Sequence, residues 1–147
     1  MEDRNKNALN FSYNSSKLPI TGIPYYPKDL NPEPRIIAYD WQIGKITDTA
    51  GREINLTYDE GGRLNKITDF SGRSVTYIYD TNGDLLSITK PATADFPGGA
   101  TVHFSYTNHR IASITDAKGQ VYLTNFYNGQ GMVDVQEYNG NTIYLDY

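Results

Sequence analysis

The chain has 147 residues, a length that suits one domain, and 17 acidic against 13 basic side chains give a formal net charge of −4. It contains no cysteine, which excludes a disulfide framework, a thiolate metal site and a cysteine nucleophile. The small negative charge offers no basic surface for nucleic acid or anionic lipid, and no stretch approaches the roughly 18 apolar residues of a membrane span.

The abundant residue types favour an all-β chain. There are 13 tyrosines, 13 glycines and 7 prolines. Tyrosine suits a pleated, half-buried surface, whereas glycine and proline end strands at turns. We therefore expect many short strands joined by tight turns, and no segment shows a sustained helical period.

Two adjacent stretches are near copies of each other, at residues 47–68 and 68–89, which align without a gap at a spacing of 21. A fixed period of this length is typical of modular arrays, in which each unit buries its face only against its neighbours. We treat residues 1–147 as one repeat segment with these further parts: a repeat-like stretch at 3–23, an irregular proline-rich excursion at 24–46 leading into a strand at 35–39, a looped insertion at 90–99, weaker repeats at 99–115 and 116–138, and a truncated copy at 139–147.

A recurring turn predicts that each copy is a β-hairpin. Aspartate stands first in the turn and glycine fourth. An aspartate in the first position accepts hydrogen bonds from backbone N–H groups ahead of it, and a glycine in the fourth takes the positive φ that closes a bulged turn. The predicted structural residues of the turns are Asp48, Gly51, Asp59, Gly62, Asp69, Gly72, Asp80, Gly83, Asp116, Gly119 and Gly131.

The strands between these turns alternate as a half-buried sheet should. Ile54, Leu56 and Tyr58 fall on one face, with polar residues between them. On the return strand, Leu64 and Ile67 stand three residues apart. That spacing indicates a bulge or bend, whose position the sequence does not reveal.

The candidate catalytic residues have a simpler structural explanation. Aspartates recur at every turn, as capping requires, rather than as one pair flanking a sugar bond. No EF-hand or Gly-Gly-x-Gly-x-Asp pattern indicates calcium, and His103 and His109 lack zinc-ligand spacing. No Gly-x-Ser-x-Gly elbow is present. We predict no catalytic residue, no metal site and no cofactor.

Aromatic residues are the remaining candidates for binding. Most tyrosines occupy fixed repeat positions, where cross-strand packing explains them. Tyr25, Tyr26 and Trp41 lie instead in the irregular stretch, and aromatic side chains on irregular loops can stack on sugars. We predict that any glycan contact involves these three residues.

The motif G-R-x5-Y-D-x2-G-x-L-x2-I-T, from Gly51 to Thr68, resembles the YD repeat of the RHS family. The same repeat occurs in insecticidal toxin-complex C components, wall-associated proteins and teneurins. The resemblance implies hairpins joined edge to edge in a sheet that coils into a hollow shell, which encloses a toxic domain in bacterial members and is an extracellular scaffold in teneurins. This chain resembles one arc of such a wall, and its stop inside a repeat suggests an excised fragment.

The function that follows from the resemblance is structural. We expect a non-enzymatic wall segment of an exported, secreted or cell-surface protein, bacterial in origin, for toxin encapsulation or delivery. The expected partners are neighbouring repeats or further copies of the chain, joined through open sheet edges. The alternatives are an adhesion or carbohydrate-binding module and a subunit of an extracellular fibre.

Overall fold

The computed structural model describes residues 8–16 and 40–146, which form eleven β-strands. No helix occurs within these ranges. The strands are β1 (Asn10–Ser16), β2 (Asp40–Thr47), β3 (Glu53–Tyr58), β4 (Leu64–Thr68), β5 (Ser74–Tyr79), β6 (Leu85–Thr89), β7 (Thr101–Thr107), β8 (Arg110–Thr115), β9 (Val121–Tyr127), β10 (Val133–Tyr138) and β11 (Asn141–Tyr144).

The strands make one antiparallel sheet whose spatial order is the order of the sequence, from β1 to β11. Each strand from β2 to β10 pairs with the strands immediately before and after it in this series. The sheet does not close on itself, so β1 and β11 are its two edges. This confirms the predicted all-β class and the predicted series of hairpins.

A β-bulge in each hairpin explains the irregular spacing of the return strands. In the β3–β4 hairpin, Thr57 pairs with Lys66 while Tyr58 pairs with Leu64, so Asn65 is the extra residue. Leu64 and Ile67 therefore reach the same face although they stand three residues apart. The residues in the equivalent position of the other hairpins are Gly44, Leu86, Ala112 and Asp134.

The turns place a residue with positive φ where the strand must reverse. Gly72 has φ 83° and donates its N–H to the carbonyl of Asp69 at 3.0 Å. The β7–β8 turn contains no glycine and instead has Asn108 at φ 51° and His109 at φ 62°. Two consecutive positive values are typical of a two-residue hairpin turn, in which asparagine is favoured at the first position.

Strand alternation and register give the sheet one apolar and one polar face. The polar face carries mainly threonine, serine, asparagine and lysine, with hydroxyl pairs such as Thr89 with Thr101 at 2.9 Å between oxygens. Cross-strand pairing places on the apolar face Phe11, Ile46, Ile54, Leu56, Ile67, Val75, Tyr77, Ile88, Val102, Phe104, Ile114 and Leu123.

No hydrophobic side chain is buried among residues 8–14 and 42–146. Ser87, 6% exposed, is the one buried residue among them. A sheet with a second layer on its apolar face would bury that face almost completely. Residues 8–16 and 40–146 therefore form a single-layered sheet, in which apolar side chains are covered mainly by their neighbours on adjacent strands.

The structure differs from the sequence-based expectation between residues 24 and 46. The end of the predicted irregular excursion lies in β2, which begins at Asp40 and pairs with β1. The bulge at Gly44 interrupts the alternation of Ile43 and Ile46. The sequence of β2 therefore lacks the regular pattern of a strand. The strand predicted at 35–39 lies outside the described residues.

The insertion at residues 90–99 closes on itself without disturbing the sheet. The N–H of Lys90 donates to the carbonyl of Ala100 at 2.9 Å, and Thr89 pairs directly with Thr101. Within the loop, the N–H of Gly99 donates to Phe96 at 2.9 Å. The two strands flanking the loop are thus joined at its base as they would be by a short turn.

Two glycine-to-alanine substitutions should reveal the cost of backbone strain in the absence of steric crowding. At both Gly72 and Gly98, an added Cβ would meet no atom within 4 Å, but only Gly72 has positive φ. We expect Gly72→Ala to lower the free energy of unfolding by about 1–2 kcal/mol. Gly98→Ala should leave it unchanged or raise it by up to about 1 kcal/mol, because alanine restricts the unfolded chain. Urea denaturation of the two variants checks this, and equal effects would contradict the assigned turn geometry.

Candidate functional site

A series of tyrosine hydroxyl groups connects each hairpin to the one before it. Each of these tyrosines is the last or next-to-last residue of the first strand of its hairpin. Its hydroxyl donates a hydrogen bond to a backbone carbonyl of the adjacent strand, which is the return strand of the preceding hairpin. The four bonds run from Tyr58 to Ile43 at 2.9 Å, from Tyr79 to Leu64 at 2.9 Å, from Tyr106 to Leu85 at 3.0 Å and from Tyr127 to Ile111 at 2.8 Å.

The acceptor carbonyl always belongs to the residue that immediately precedes a bulge. Leu64, which accepts from Tyr79, precedes the bulged residue Asn65, and Leu85, which accepts from Tyr106, precedes Leu86. A bulge disrupts the regular ladder of backbone hydrogen bonds at its position. The tyrosine of the next hairpin therefore provides a donor where the sheet itself is irregular.

The environment of two of these hydroxyl groups, on Tyr79 and Tyr106, favours the protonated form that can donate. Partial burial raises the pKa of Tyr79 above its usual range, and the carboxylate of Asp59 acts in the same direction. Partial burial also raises the pKa of Tyr106, assisted by the carboxylate of Asp84. The Tyr79 and Tyr106 hydroxyl groups are thus able to donate to their carbonyls throughout the neutral range of pH.

A second set of contacts joins successive hairpins near their turns. The contacting residues are Gln42, Arg63, Asp84 and Arg110, which we call the tip row, and each immediately precedes one of the acceptor residues. Gln42 Nε2 donates to the carbonyl of Gly62 at 2.8 Å, Arg63 Nη1 donates to the carbonyl of Asp80 at 3.2 Å, Asp84 contacts His109 Nδ1 at 3.0 Å, and the Arg110 guanidinium lies 5.6 Å from the ring centre of Tyr127.

Arg63 shows how the tip row combines with a turn. Its Nε donates to the carboxylate of Asp59 in its own turn at 2.8 Å, and its guanidinium lies 4.8 Å from the ring centre of Tyr79. The same side chain therefore contacts its own turn, the tyrosine of the next hairpin and the next turn. Cation–π contacts at exposed sites contribute about 0.5–1 kcal/mol.

The aspartate that opens each turn organises the backbone around it. Asp69 Oδ1 accepts from the N–H groups of Ser71 and Arg73 at 2.9 and 3.0 Å, and Oδ2 accepts from Arg73 Nε at 2.8 Å. The Ser71 hydroxyl, together with Arg73, lowers the pKa of Asp69 to about 2. In the β9–β10 turn, Asn128 accepts the two equivalent backbone bonds without a charge.

Three other turn aspartates are also held in the ionised form. The backbone N–H of Arg52 lowers the pKa of Asp48, and that of Arg63 lowers the pKa of Asp59. Partial desolvation alone would raise the pKa of Asp80, but the N–H groups of Asp84 and Asn82 outweigh it and the pKa falls.

The structure places the predicted turn residues at the ends of the hairpins, with positive φ at the fourth-position glycines: Gly51, Gly62, Gly72, Gly83, Gly119 and Gly131.

Tyr25 and Tyr26 lie outside the described residues. Trp41 is in β2, where its backbone pairs with Ser15. The glycan contact therefore stays a prediction. Within the described ranges, no group of three or more His, Cys, Asp or Glu side chains could hold a metal ion.

Sequence reasoning missed both sets of contacts between hairpins. The repeat identifies the tyrosines but does not reveal their acceptors. The available signal was the pair formed by a tip-row residue and the aliphatic residue after it, such as Arg63-Leu64 and Asp84-Leu85, which recurs at a spacing of 21. The tip row varies in chemical type, so a search for identical residues does not find it.

The geometry defines a class of protein: an open, single-layered β-sheet whose successive hairpins are joined by tyrosine hydrogen bonds. The family model described as Teneurin YD-shell matches residues 1–146, and the chain belongs to that family. The YD-shell is a structural shell domain, and shell domains of the teneurin and RHS type are extracellular. Among curated proteins, none matches this sequence. In the ranges that the structure describes, no helix is long and apolar enough to cross a membrane.

Removal of one tyrosine hydroxyl should test the connection between hairpins. Tyr79→Phe deletes the donor to Leu64 and leaves a partly buried carbonyl without its partner, which should lower the free energy of unfolding by about 1–2 kcal/mol. Tyr77, in the same strand and on the same face, makes no hydrogen bond through its hydroxyl to the described residues. Tyr77→Phe is therefore the matched control and should cost less than about 0.5 kcal/mol. Urea denaturation measures both, and equal losses would contradict the structural role of the Tyr79 hydroxyl.

The turn carboxylates should make the fold sensitive to acid. The pKa of Asp69 falls to about 2 in the folded chain from an ordinary value of 3.8. Its contribution is therefore fully present above about pH 4 and is lost as the pH falls toward 2. We expect the melting temperature to fall over this window, and to fall less steeply in Asp69→Asn, which retains the backbone bonds seen at Asn128. Thermal melts between pH 2 and pH 6 check this, and an unchanged slope in the variant would contradict the assignment.

Proposed function

We propose that this segment supplies wall strands to a β-shell that encloses a separate domain, a toxin in the longer proteins that carry such repeats. The observation that carries the proposal is the repeated bond between a tyrosine hydroxyl and the preceding hairpin's carbonyl. The same bond at four successive hairpins supports a wall that extends by adding units. No catalytic residue is part of this function.

Repetition of the same local geometry supports a uniformly curved wall. Every hairpin has a bulge at the equivalent position, next to the tyrosine of its first strand. A bulge bends its strand and increases the local right-handed twist. Successive bends of the same kind, fixed by successive tyrosines, add to a continuous coil rather than cancelling.

The apolar face, which no second layer of described residues covers, supports the enclosure of another chain. Aliphatic and aromatic side chains cover this face from β1 to β10, yet none of them is buried in the described part of the molecule. An apolar surface of this extent is stabilised by contact with another surface. We infer that a protein domain held inside the shell, or a further turn of the same wall, covers it.

The sheet edges support association with further repeats. In β11, Tyr144 is 80% exposed and Ile143 is 44% exposed, and at the opposite edge Phe11 is 41% exposed. An edge strand presents unpaired N–H and C=O groups to any strand that can add to it. We propose that β11 of one copy pairs with β1 of another when the segment is alone in solution. Because the two ends are unlike, such a contact need not close, and a fibre can form.

Light scattering behind a sizing column tests this association. We expect species heavier than the 16.5 kDa chain, with a mass that increases with concentration. Ile143→Lys places a charge on the edge strand and should shift the distribution toward the single chain, as charged residues do on natural sheet edges. Ile78→Lys, a substitution at an exposed position of the central strand β5, is the matched control and should leave the distribution unchanged. A single 16.5 kDa species over a wide concentration range would contradict the proposal.

A further inference from the structure

The polar face changes in character over the last three strands. From β2 to β8 its cross-strand rows consist mostly of hydroxyl, amide and charged side chains. At β9–β11 one row is apolar instead: Phe126 pairs with Val135, and Val135 pairs with Tyr144. We call Phe126, Val135 and Tyr144 the aromatic patch. Phe126 is 47% exposed and Tyr144 80% exposed, so the packing of the sheet does not account for the patch.

A carboxylate lies beside the aromatic patch on the same face. Two residues along the strands, the next row consists of Thr124, Glu137 and Thr142, which pair across β9, β10 and β11. These three residues line a cleft of about 350 Å³ together with Val121, Tyr122, Asn139 and Gly140. The carboxylate of Glu137 makes no ion pair or hydrogen bond with the described residues. Rows two residues apart are about 7 Å apart along a strand, so one ligand group can reach both Glu137 and an aromatic ring.

The last three strands and the turns between them contribute charge of one sign, although Arg110 of β8 lies over the ring of Tyr127. Residues 120–147 contain three acidic residues, Asp134, Glu137 and Asp146, and no lysine or arginine. They account for −3 of the formal net charge of −4. By contrast, three earlier turns each contain an arginine that pairs with the aspartate of the same turn, at Asp48, Asp59 and Asp69. An unpaired acidic and aromatic surface is complementary to a cationic partner.

We propose that the aromatic patch and Glu137 form a docking surface for a polypeptide segment that carries lysine or arginine. The cation lies over the ring of Phe126 or Tyr144 and donates hydrogen bonds to the Glu137 carboxylate, with Thr124 and Thr142 on either side. Cation–π attraction and a charge-assisted hydrogen bond then act on the same group. Apolar side chains next to the cation pack on Val135.

The composition of β1 argues against a second copy of the chain as the occupant. The strand that would join β11 in an end-to-end contact, Asn10–Ser16, contains no lysine or arginine. It would meet the edge of β11, whereas the aromatic patch lies on the face of the sheet. The docking surface is thus separate from the association through sheet edges, and either can hold without the other.

A synthetic peptide that alternates arginine and valine, with a fluorescent label, is the probe for this surface. Fluorescence anisotropy measures its binding to the full chain at low ionic strength. We expect saturable binding that weakens with added salt, and no binding of a matched peptide that alternates aspartate and valine. Glu137→Gln should weaken the binding about tenfold or more, since it removes a charged hydrogen-bond acceptor. Tyr144→Ser and Phe126→Ser should each weaken it about threefold, the magnitude of an exposed cation–π contact.

Two control variants lie on the same face but outside the docking surface. Glu53→Gln removes an acidic residue that pairs with Lys45 at 3.0 Å, and Ile78→Ser removes an exposed apolar side chain in β5. Both should bind the probe as the unaltered chain does. Because all the substituted side chains are exposed or half-buried, circular dichroism should show the same sheet spectrum for every variant.

Several outcomes would overturn the proposal. Equal binding by the unaltered chain and Glu137→Gln would do so, as would an equal loss in Glu53→Gln, which would indicate attraction to net charge alone. Light scattering that shows the probe binding only as oligomers dissociate would identify the patch as a contact between copies. Binding of a neutral oligosaccharide that persists in Glu137→Gln and disappears in Tyr144→Ser would identify a sugar platform instead.

Discussion

The hydrogen bond from a tyrosine hydroxyl to a bulge-flanking carbonyl is the interaction on which the rest of this structure depends. The bulge is needed to bring residues three apart, such as Leu64 and Ile67, to one face, but it interrupts the backbone ladder. Tyr79 from the next hairpin restores a partner to that position. Each hairpin is therefore completed by its successor, and the order of the chain becomes the order of the sheet.

A sheet without buried hydrophobic residues is stabilised mainly by contacts between neighbouring units. Its free energy of folding is then close to a sum over hairpins and over the interfaces between them. The tyrosine bonds, the tip row and the paired aliphatic side chains all belong to those interfaces. Arg63 is the clearest case, because one side chain contacts two turns and a tyrosine ring. Loss of such a residue weakens two units at once.

Much of the fold could be predicted from sequence because its signals are local. The Asp-x-x-Gly turns and the strand alternation of Ile54, Leu56 and Tyr58 are each contained in a few consecutive residues, and the period of 21 repeats them from one hairpin to the next. The hidden parts depend on pairing between strands: the bulge at Gly44 concealed β2, and the acceptor of Tyr106 is 21 residues away at Leu85. The surface formed by Phe126, Val135 and Tyr144 likewise appears only when the register of three strands is known, because the residues lie nine apart along the chain.

The loop at residues 90–99 shows how a repeat can gain sequence without a change in the sheet. Thr89 and Thr101 pair across its base, and Lys90 bonds to Ala100, so the loop leaves and rejoins the sheet at one point. The entropic cost of lengthening a closed loop grows only with the logarithm of its length. Sequence can therefore be added to the loop between β6 and β7 while Thr89 and Thr101 keep the two strands in register.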